Sequence, residues 1–309
     1  MPRRFAVMLA GAFLLPVPAG AAPRGDITIA DTAVFPENIA AGRDGTVYFG
    51  SAAKGTIYRA APGASTAEIW IPAGTDGMKA SLGLWVDGRR KLLWVCAPGP
   101  RATETTPAGP SFIKTFDLGT GAPRVSYGFE GGGRCNDLTI AADGTVYAGD
   151  FSGGRVMRLK AGDDTFRPWA ADPGFNAPDG LALLADGALY VNTYRTGMLF
   201  RVPIMKDGTA GTPVRIATDR AFGKPDGMRA VGAHTLLLAE GEGRLSEVTI
   251  AGDKATVKVV RDGFADNPVG VAMVKGTVFV AQAKWAAMGD KTKDPGSFGA
   301  VAVPYGPAR

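Results

Sequence analysis

Apolar and polar positions alternate along this chain in a pattern that recurs several times. Each recurrence holds an apolar run, a turn that usually contains Asp-Gly, a second apolar run, a polar turn and a third apolar run. The clearest copies are ENIAAGRDGTVYFGSAAKGTIYR, NDLTIAADGTVYAGDFSGGRVMRL, DGLALLADGALYVNTYRTGMLFRV and DGMRAVGAHTLLLAEGEGRLSEVTI. Asp-Gly between two apolar runs favours a β-hairpin, because glycine accepts the positive φ that other residues resist. The pattern therefore predicts short antiparallel strands.

The copies begin at regular intervals. Two weaker copies, LGLWVDGRRKLLWVCAPG and VGVAMVKGTVFVAQA, complete a series whose first residues are Glu37, Leu82, Asn136, Asp179, Asp226 and Val269. The intervals are 45, 54, 43, 47 and 43 residues, and the longest contains the insertion GPRATETTPAGPS. A β-repeat of about 40 to 50 residues is typical of a propeller. We predict an all-β, six-bladed β-propeller in which DITIADTAV joins the last blade; a β-sandwich is the alternative, but it would not explain the period.

The N-terminal residues have the composition of an export signal. Arg3 and Arg4 precede the apolar run FAVMLAGAFLL, and Ala19-Gly20-Ala21 matches an A-x-A cleavage site. The run is shorter than the roughly 20 residues that span a bilayer; an uncleaved anchor is the alternative. We predict a signal peptide at residues 1–21, a single propeller domain at residues 22–309, and a periplasmic or secreted protein.

The charge balance narrows the range of partners. The chain has 34 basic and 29 acidic side chains, and removing residues 1–21 would leave 32 − 29 = +3. An excess this small and scattered does not favour nucleic-acid binding. We expect a monomer that takes a small-molecule substrate, such as a lactone or ester, and that has neither a nucleic-acid partner nor an integral membrane association.

Oxygen-bearing side chains stand at the first position of four copies: Glu37, Asn136, Asp179 and Asp226. The innermost strands of a propeller line its channel, so these side chains should converge at one end of it. Three carboxylates so close would repel one another unless a cation lay between them. Calcium suits such oxygen ligands best, with Mn²⁺, Mg²⁺ or Zn²⁺ as alternatives. Ordinary turn-capping by each acid is the competing interpretation.

The two cysteines fall at the same predicted end. Cys96 ends the second strand of the second copy, and Cys135 directly precedes the first strand of the third. In an oxidising compartment this pair favours a disulfide bond, and two buried free thiols are the alternative.

The segments FPENIAAGRDGTVYFGS, CNDLTIAADGTVYAGDF, NAPDGLALLADGALYVN and KPDGMR together resemble the gluconolactonase and regucalcin family of six-bladed propellers. The resemblance implies a divalent ion on the channel axis, with Glu37, Asp179 and Asp226 as direct ligands. It also implies that Asn136 approaches the ion through water or substrate, and that Asp226 is the catalytic base. The chain departs from the family pattern at Asn38-Ile39, and at Asp179, where an Asn is common.

These features favour a metal-dependent hydrolase of a lactone or related ester. Substrate contacts are expected from Asn136, Arg134, Asp150 and Glu240, which the strand phase places near the same mouth. No G-x-S-x-G motif is present, and the single histidine, His234, lies in an outer turn, so a serine triad is disfavoured. The alternatives are a non-catalytic binding propeller with a structural ion and, on the same fold, a strictosidine-synthase-like condensing enzyme. We attribute the tryptophans to packing between strands.

Overall fold

The computed structural model describes residues 24–306 except 104, 106, 107 and 291. The predicted signal peptide at residues 1–21 lies outside this part of the chain. The described residues form twenty-four strands. They are β1 Ile27–Ile29, β2 Ile39–Ala41, β3 Val47–Gly50, β4 Ile57–Ala60, β5 Thr66–Ile71, β6 Leu84–Asp87, β7 Leu92–Pro98, β8 Ser111–Asp117, β9 Pro123–Phe129, β10 Cys135–Ile140, β11 Val146–Asp150, β12 Arg155–Leu159, β13 Thr165–Ala171, β14 Pro178–Leu183, β15 Leu189–Thr193, β16 Met198–Val202, β17 Val214–Thr218, β18 Pro225–Ala230, β19 Thr235–Glu240, β20 Arg244–Ala251, β21 Lys254–Arg261, β22 Pro268–Val274, β23 Thr277–Gln282 and β24 Phe298–Pro304.

Helical structure is confined to two short segments of the described chain. A 3₁₀ turn spans Thr75–Gly77, and the single-turn helix α1 spans Trp285–Gly289 in the connection between β23 and β24. No helix among the described residues is long and apolar enough to cross a membrane. The prediction of an all-β protein is therefore confirmed.

The strands form three eight-stranded sheets. Each sheet consists of two antiparallel groups of four, joined through one parallel pair of outermost strands: β1 with β5, β9 with β13, and β17 with β21. Strand β1 also pairs antiparallel with β24, with Thr28 opposite Gly299. The N-terminal strand thus completes the group that holds the last three strands of the chain, as the sequence predicted.

The innermost strand of each group packs against the innermost strands of its two neighbours. We call β2, β6, β10, β14, β18 and β22 the inner strands, and their contacts run in this order and close from β22 back to β2. The apolar runs of the sequence pack between neighbouring groups, where side chains such as Phe49, Leu84, Val191 and Leu237 are buried. This packing surrounds a central channel, and it sets the positions of all residues at the channel mouth.

The disulfide bond joins two neighbouring groups of strands. Cys96 in β7 and Cys135 in β10 are bonded, with their Cα atoms 5.5 Å apart, and both are fully buried. The bond lies beside the point where the Gly83 N–H donates to the Asn136 carbonyl, 2.7 Å away. It therefore fixes the start of β10 at the channel mouth.

Candidate metal centre and cavity

Three carboxylates meet at one end of the channel. Glu37 precedes β2, Asp179 is in β14 and Asp226 is in β18, and their side chains are 5%, 2% and 4% exposed. One oxygen from each lies within 4.8 Å of the others. We call these residues the acid triad. The repeat phase predicted that they would converge, and the structure brings them together.

A shared local sequence sets the backbone of all three acids. Each follows a proline, in Phe35-Pro36-Glu37, Ala177-Pro178-Asp179 and Lys224-Pro225-Asp226. The residue before each proline has a positive φ, of 46° at Phe35, 58° at Ala177 and 53° at Lys224. This conformation is unfavourable for a residue with a Cβ atom, and it is found mainly where the surrounding structure enforces it. Three equivalent turns of this kind direct the three acids into the mouth.

The glycine after Asp179 lets the inner strands approach closely. A Cβ atom at Gly180 would lie 2.4 Å from the Asp226 carbonyl oxygen and 2.6 Å from the Asn192 amide nitrogen. Asn192 connects the same strands, since its amide donates to the Asp226 carbonyl and accepts from the Gly180 N–H. The Asp-Gly pair at this position is therefore a close-packing site rather than a hairpin turn.

Burial and nearby carboxylates raise the pKa of every member of the triad. Desolvation is the largest cause for each carboxyl group. It raises the pKa of Asp179 to about 8, with help from the charge of Asp137, while the Asn136 amide and Arg229 oppose the rise. The pKa of Glu37 and that of Asp226 are raised well above their ordinary values, with neighbouring carboxylates as the next cause. Arg134 lowers the pKa of Glu37 and Arg229 lowers that of Asp179, but neither charge offsets the rise.

The donor set fits a hard cation. Glu37 Oε2 and Asp179 Oδ1 are buried and have no hydrogen-bond partner among the described residues. Buried carboxylate oxygens are normally paired, because an unpaired one loses the solvation that it had in water. A cation between the three carboxylates would satisfy both oxygens and remove the repulsion. Calcium accepts six to eight oxygens, so Asn136 and solvent or substrate could complete its shell.

The triad forms the floor of a cavity of about 550 Å³. Asn136 and two arginines, Arg101 and Arg134, line the same cavity, and we call the lining outside the triad its wall. The rest of the lining is largely apolar and aromatic: Ala52, Leu82, Phe151, Tyr194, Trp285, Met288 and Gly289. The size and the mixture of apolar walls with a few polar groups are typical of a small-molecule site.

Several lining residues were not predicted, although the repeat contains a signal for them. Ala52, Phe151 and Tyr194 each follow the second strand of a group, and each donates its N–H to a carbonyl just before the first strand. They are thus equivalent positions.

Burial and the charges of Asp226 and Asp179 raise the pKa of the Tyr194 hydroxyl to about 12, so it stays protonated. Trp285, which we attributed to strand packing, comes from α1 and lines the cavity.

Two predicted substrate contacts, Asp150 and Glu240, do not line the cavity. Asp150 accepts hydrogen bonds from the Arg134 N–H and the Gly153 N–H, and it pairs with Arg155 at 2.9 Å. Glu240 is bound by Arg220, by the Ser246 hydroxyl and by the Gly223 N–H. Both carboxylates are fully buried. Their contacts make them structural anchors of the loops at the mouth.

One charged pair crosses the channel next to the triad. The Arg229 guanidinium pairs with Asp137 at 2.7 Å and donates to the Asn38 side chain at 3.1 Å and to the Leu84 carbonyl at 3.2 Å. These partners come from three different groups of strands. Arg229 thus fills the channel with a positive charge that balances Asp137, and it was not predicted from the sequence.

Comparisons with known proteins agree with this architecture. A family model for strictosidine synthase-like proteins, N-terminal, matches residues 27–60. A gluconolactonase from Xanthomonas campestris has a TM-score of 0.65 and 18% identity, over 93% of this chain and 96% of that chain. The allergen Mala s 1 from Malassezia sympodialis has a TM-score of 0.72 and 16% identity, over 91% and 96%. Regucalcin from Agrobacterium tumefaciens, a calcium-binding protein, has a TM-score of 0.61 and 14% identity, over 92% and 96%.

No curated protein sequence matches the chain significantly. At these low identities the solved structures establish a shared fold. The predicted resemblance to the gluconolactonase and regucalcin family is confirmed at that level.

Proposed function

We propose that this protein is a divalent-metal-dependent hydrolase of a lactone or related ester. The observation that carries the proposal is the acid triad at the floor of a cavity large enough for a small molecule. The similarity to a gluconolactonase and to a calcium-binding regucalcin supports the same class of substrate and favours Ca²⁺ as the ion.

Glu37, Asp179 and Asp226 would hold the ion. When bound, a hard cation supplies Lewis acidity toward both the substrate carbonyl and the attacking water. Asp226 would take the proton from the attacking water as general base, the role that the resemblance to the gluconolactonase and regucalcin family implies for it. Asn136 orients the substrate or the water through its amide. Tyr194 keeps its proton and can donate a hydrogen bond to a substrate oxygen.

The proposal includes a six-bladed propeller at residues 22–309. Its support is the division of each eight-stranded sheet into two groups of four at the parallel pair. We also propose export to the periplasm or the medium, for which the Cys96–Cys135 disulfide is support because such bonds persist in oxidising compartments. A monomer is supported by the outermost strands, whose edges are already paired with one another.

The test is turnover of a panel of lactones and aryl esters. The protein is freed of metal, assayed, and assayed again with Ca²⁺, Mn²⁺, Mg²⁺ or Zn²⁺ restored, beside Asp226→Asn. We expect activity that disappears without metal, returns with a hard cation and falls at least about 100-fold in Asp226→Asn, as is usual when a general base is removed. The matched control is Asp164→Asn, because Asp164 is exposed in the connection between β12 and β13 and does not line the cavity.

The alternative function is ligand binding without turnover. The largely apolar and aromatic cavity wall favours it, since such a wall can hold a ligand whether or not chemistry follows. If no substrate of the panel is turned over but the melting temperature rises on adding Ca²⁺, the metal site is supported and the protein is a binding protein and not a hydrolase.

A further inference from the structure

The cavity is lined by side chains of opposite charge. The acid triad forms its floor, while Arg101 and Arg134, which we call the arginine pair, lie on its wall. Arg134 directly precedes β10, and its own N–H is held by Asp150 at 2.8 Å, so its backbone position is fixed. Arg101 comes from the insertion after β7, and it approaches the same space from the neighbouring group of strands.

The arginine pair has no anionic partner among the described residues. Three other arginines near the channel mouth are matched to buried carboxylates: Arg155 to Asp150, Arg220 to Glu240 and Arg229 to Asp137. Arg134 forms no ion pair, and its charge is opposed by burial and by Arg101, so that the pKa of its guanidinium is lowered. The nearby charge of Glu37 opposes that shift, but Glu37 is part of the floor. The arginine pair is therefore a cationic part of the cavity wall that forms no ion pair within the described chain.

Aromatic side chains line the same cavity. Phe151 and Tyr194 lie 6.0 Å apart between ring centroids, and the Arg195 guanidinium lies 5.5 Å from the Phe151 ring. Trp285 lines the cavity as well. These rings provide apolar surface that can cover the body of a ligand bound between floor and wall.

We propose that the substrate carries a carboxylate, which the arginine pair binds, separated by an apolar body from the carbonyl that reacts at the floor. A planar guanidinium matches a carboxylate in two parallel hydrogen bonds, and such charge-assisted bonds are stronger than neutral ones. The substrate class is thus an anionic lactone or half-ester rather than a neutral sugar lactone. This inference rests on the proposed hydrolase function for its reaction, but the carboxylate site can be tested without turnover.

The kinetic test uses esters that differ by a single carboxylate group. Mono-4-nitrophenyl glutarate is compared with 4-nitrophenyl butyrate on the metal-loaded protein, on Arg134→Gln, on Arg134→Lys and on Arg101→Gln. We expect kcat/KM for the anionic ester to fall at least about tenfold in Arg134→Gln, mainly through KM, and to fall less in Arg134→Lys, which keeps the charge. The fall in kcat/KM should be at least about fivefold larger for the anionic ester than for the neutral ester, because only the anionic ester has a carboxylate for the arginine pair to bind. Arg167→Gln is the control, because Arg167 is an exposed arginine paired with Glu130.

A binding test separates this inference from the hydrolase. Monomethyl glutarate is titrated into metal-free protein by calorimetry, with wild type beside Arg134→Gln and Arg101→Gln, each checked for an unchanged melting temperature. Binding that is lost in the arginine variants supports the carboxylate site even if no ester is hydrolysed. Two results would overturn the carboxylate site and leave the hydrolase intact. One is an equal loss of kcat/KM for the charged and the neutral ester in the arginine variants. The other is ester turnover by a protein that does not bind monomethyl glutarate. No binding and no turnover would overturn both.

Discussion

At the scale of single residues, the acid triad is the feature that is most unfavourable for the stability of the fold. Each carboxyl group is buried, and the charge of Asp179 raises the pKa of both Glu37 and Asp226. Without a cation the site must either hold protons or accept repulsion, and either state weakens the fold. The proline turns at Ala177 and Lys224 add unfavourable backbone conformations at the same place. Such an accumulation of costs indicates a site that is built for a ligand.

Replacing one acid should therefore have opposite effects with and without metal. We expect Asp179→Asn to melt at a higher temperature than wild type when both are metal-free, because the variant lacks a buried carboxyl group that must either take up a proton or keep an unsolvated charge. With Ca²⁺ the order should reverse, since the variant should bind the ion at least about tenfold more weakly and lose the stabilisation that bound ligand provides. Differential scanning calorimetry with and without Ca²⁺ measures both effects. A variant that keeps the wild-type response to Ca²⁺ would exclude Asp179 as a ligand.

The raised pKa values also predict a pH dependence of stability. Asp179 titrates at about 8 in the folded protein against an ordinary value of 3.8, so between these values the folded state binds more protons than the unfolded state. Stability of the metal-free protein should then be greatest at the acidic end and fall as the pH rises from 5 to 8. Thermal melts at pH 5, 6, 7 and 8 would show the decline.

Saturating Ca²⁺ provides the internal control for the pH series. Bound metal displaces the protons, so the decline should largely vanish in its presence. A melting temperature that falls equally with pH in both conditions would show that the decline comes from groups other than the triad.

The sequence predicted the triad but not the cavity wall, and the reason is local. Successive side chains of a β-strand point to opposite faces of the sheet. A shift of one residue therefore changes which side chain faces the channel. Asp150 was expected to contact substrate, but it points into the loop, and its neighbour Phe151 lines the cavity. Trp285 could not be placed at all, because it lies in a connection outside the repeat.

At the scale of strands, the Arg229–Asp137 pair connects inner strands across the channel. Asp137 in β10 is fully buried, and Arg229 in β18 is 13% exposed along its side chain. The repeat alone does not reveal this pair, because the two residues are separated by 92 positions and meet only when the channel closes. The sequence therefore predicted which strands line the channel, but not what fills it.

We expect Arg229→Gln to destabilise the protein by about 3–5 kcal/mol, since it leaves Asp137 buried without its partner. The double variant Arg229→Gln/Asp137→Asn should lose less than the two single variants combined, with a coupling energy of about 1–3 kcal/mol. Urea unfolding of the four proteins measures this cycle. The same cycle on the exposed Arg167–Glu130 pair should give a coupling near zero. Additive effects at Arg229 and Asp137 would show that the pair is not a unit.

At the scale of the whole molecule, the ring of inner strands depends on one short strand. Strand β1 is the N-terminal strand of the described chain, and it pairs with β24 on one side and with β5 on the other. It therefore connects the last group of strands to the first. The spacing of the repeat predicted this closure because the last copy lacked an outer strand of its own. That only three residues of β1 pair with β24 could be seen only in the structure.

Removing β1 should open the ring at this junction. Ile27 and Ile29 are 3% and 2% exposed, and burying two such side chains contributes about 3–6 kcal/mol. A chain that begins at Asp31 keeps the Asp31–Lys54 ion pair at 2.8 Å but lacks β1. We expect it to melt well below a chain that begins at Ala22, and to exchange the backbone amides of β24 and β5 faster. The variant Thr28→Ala, at an exposed position in the middle of β1, should melt like wild type. Equal melting of the two chains would mean that the packing of the inner strands alone holds the ring closed.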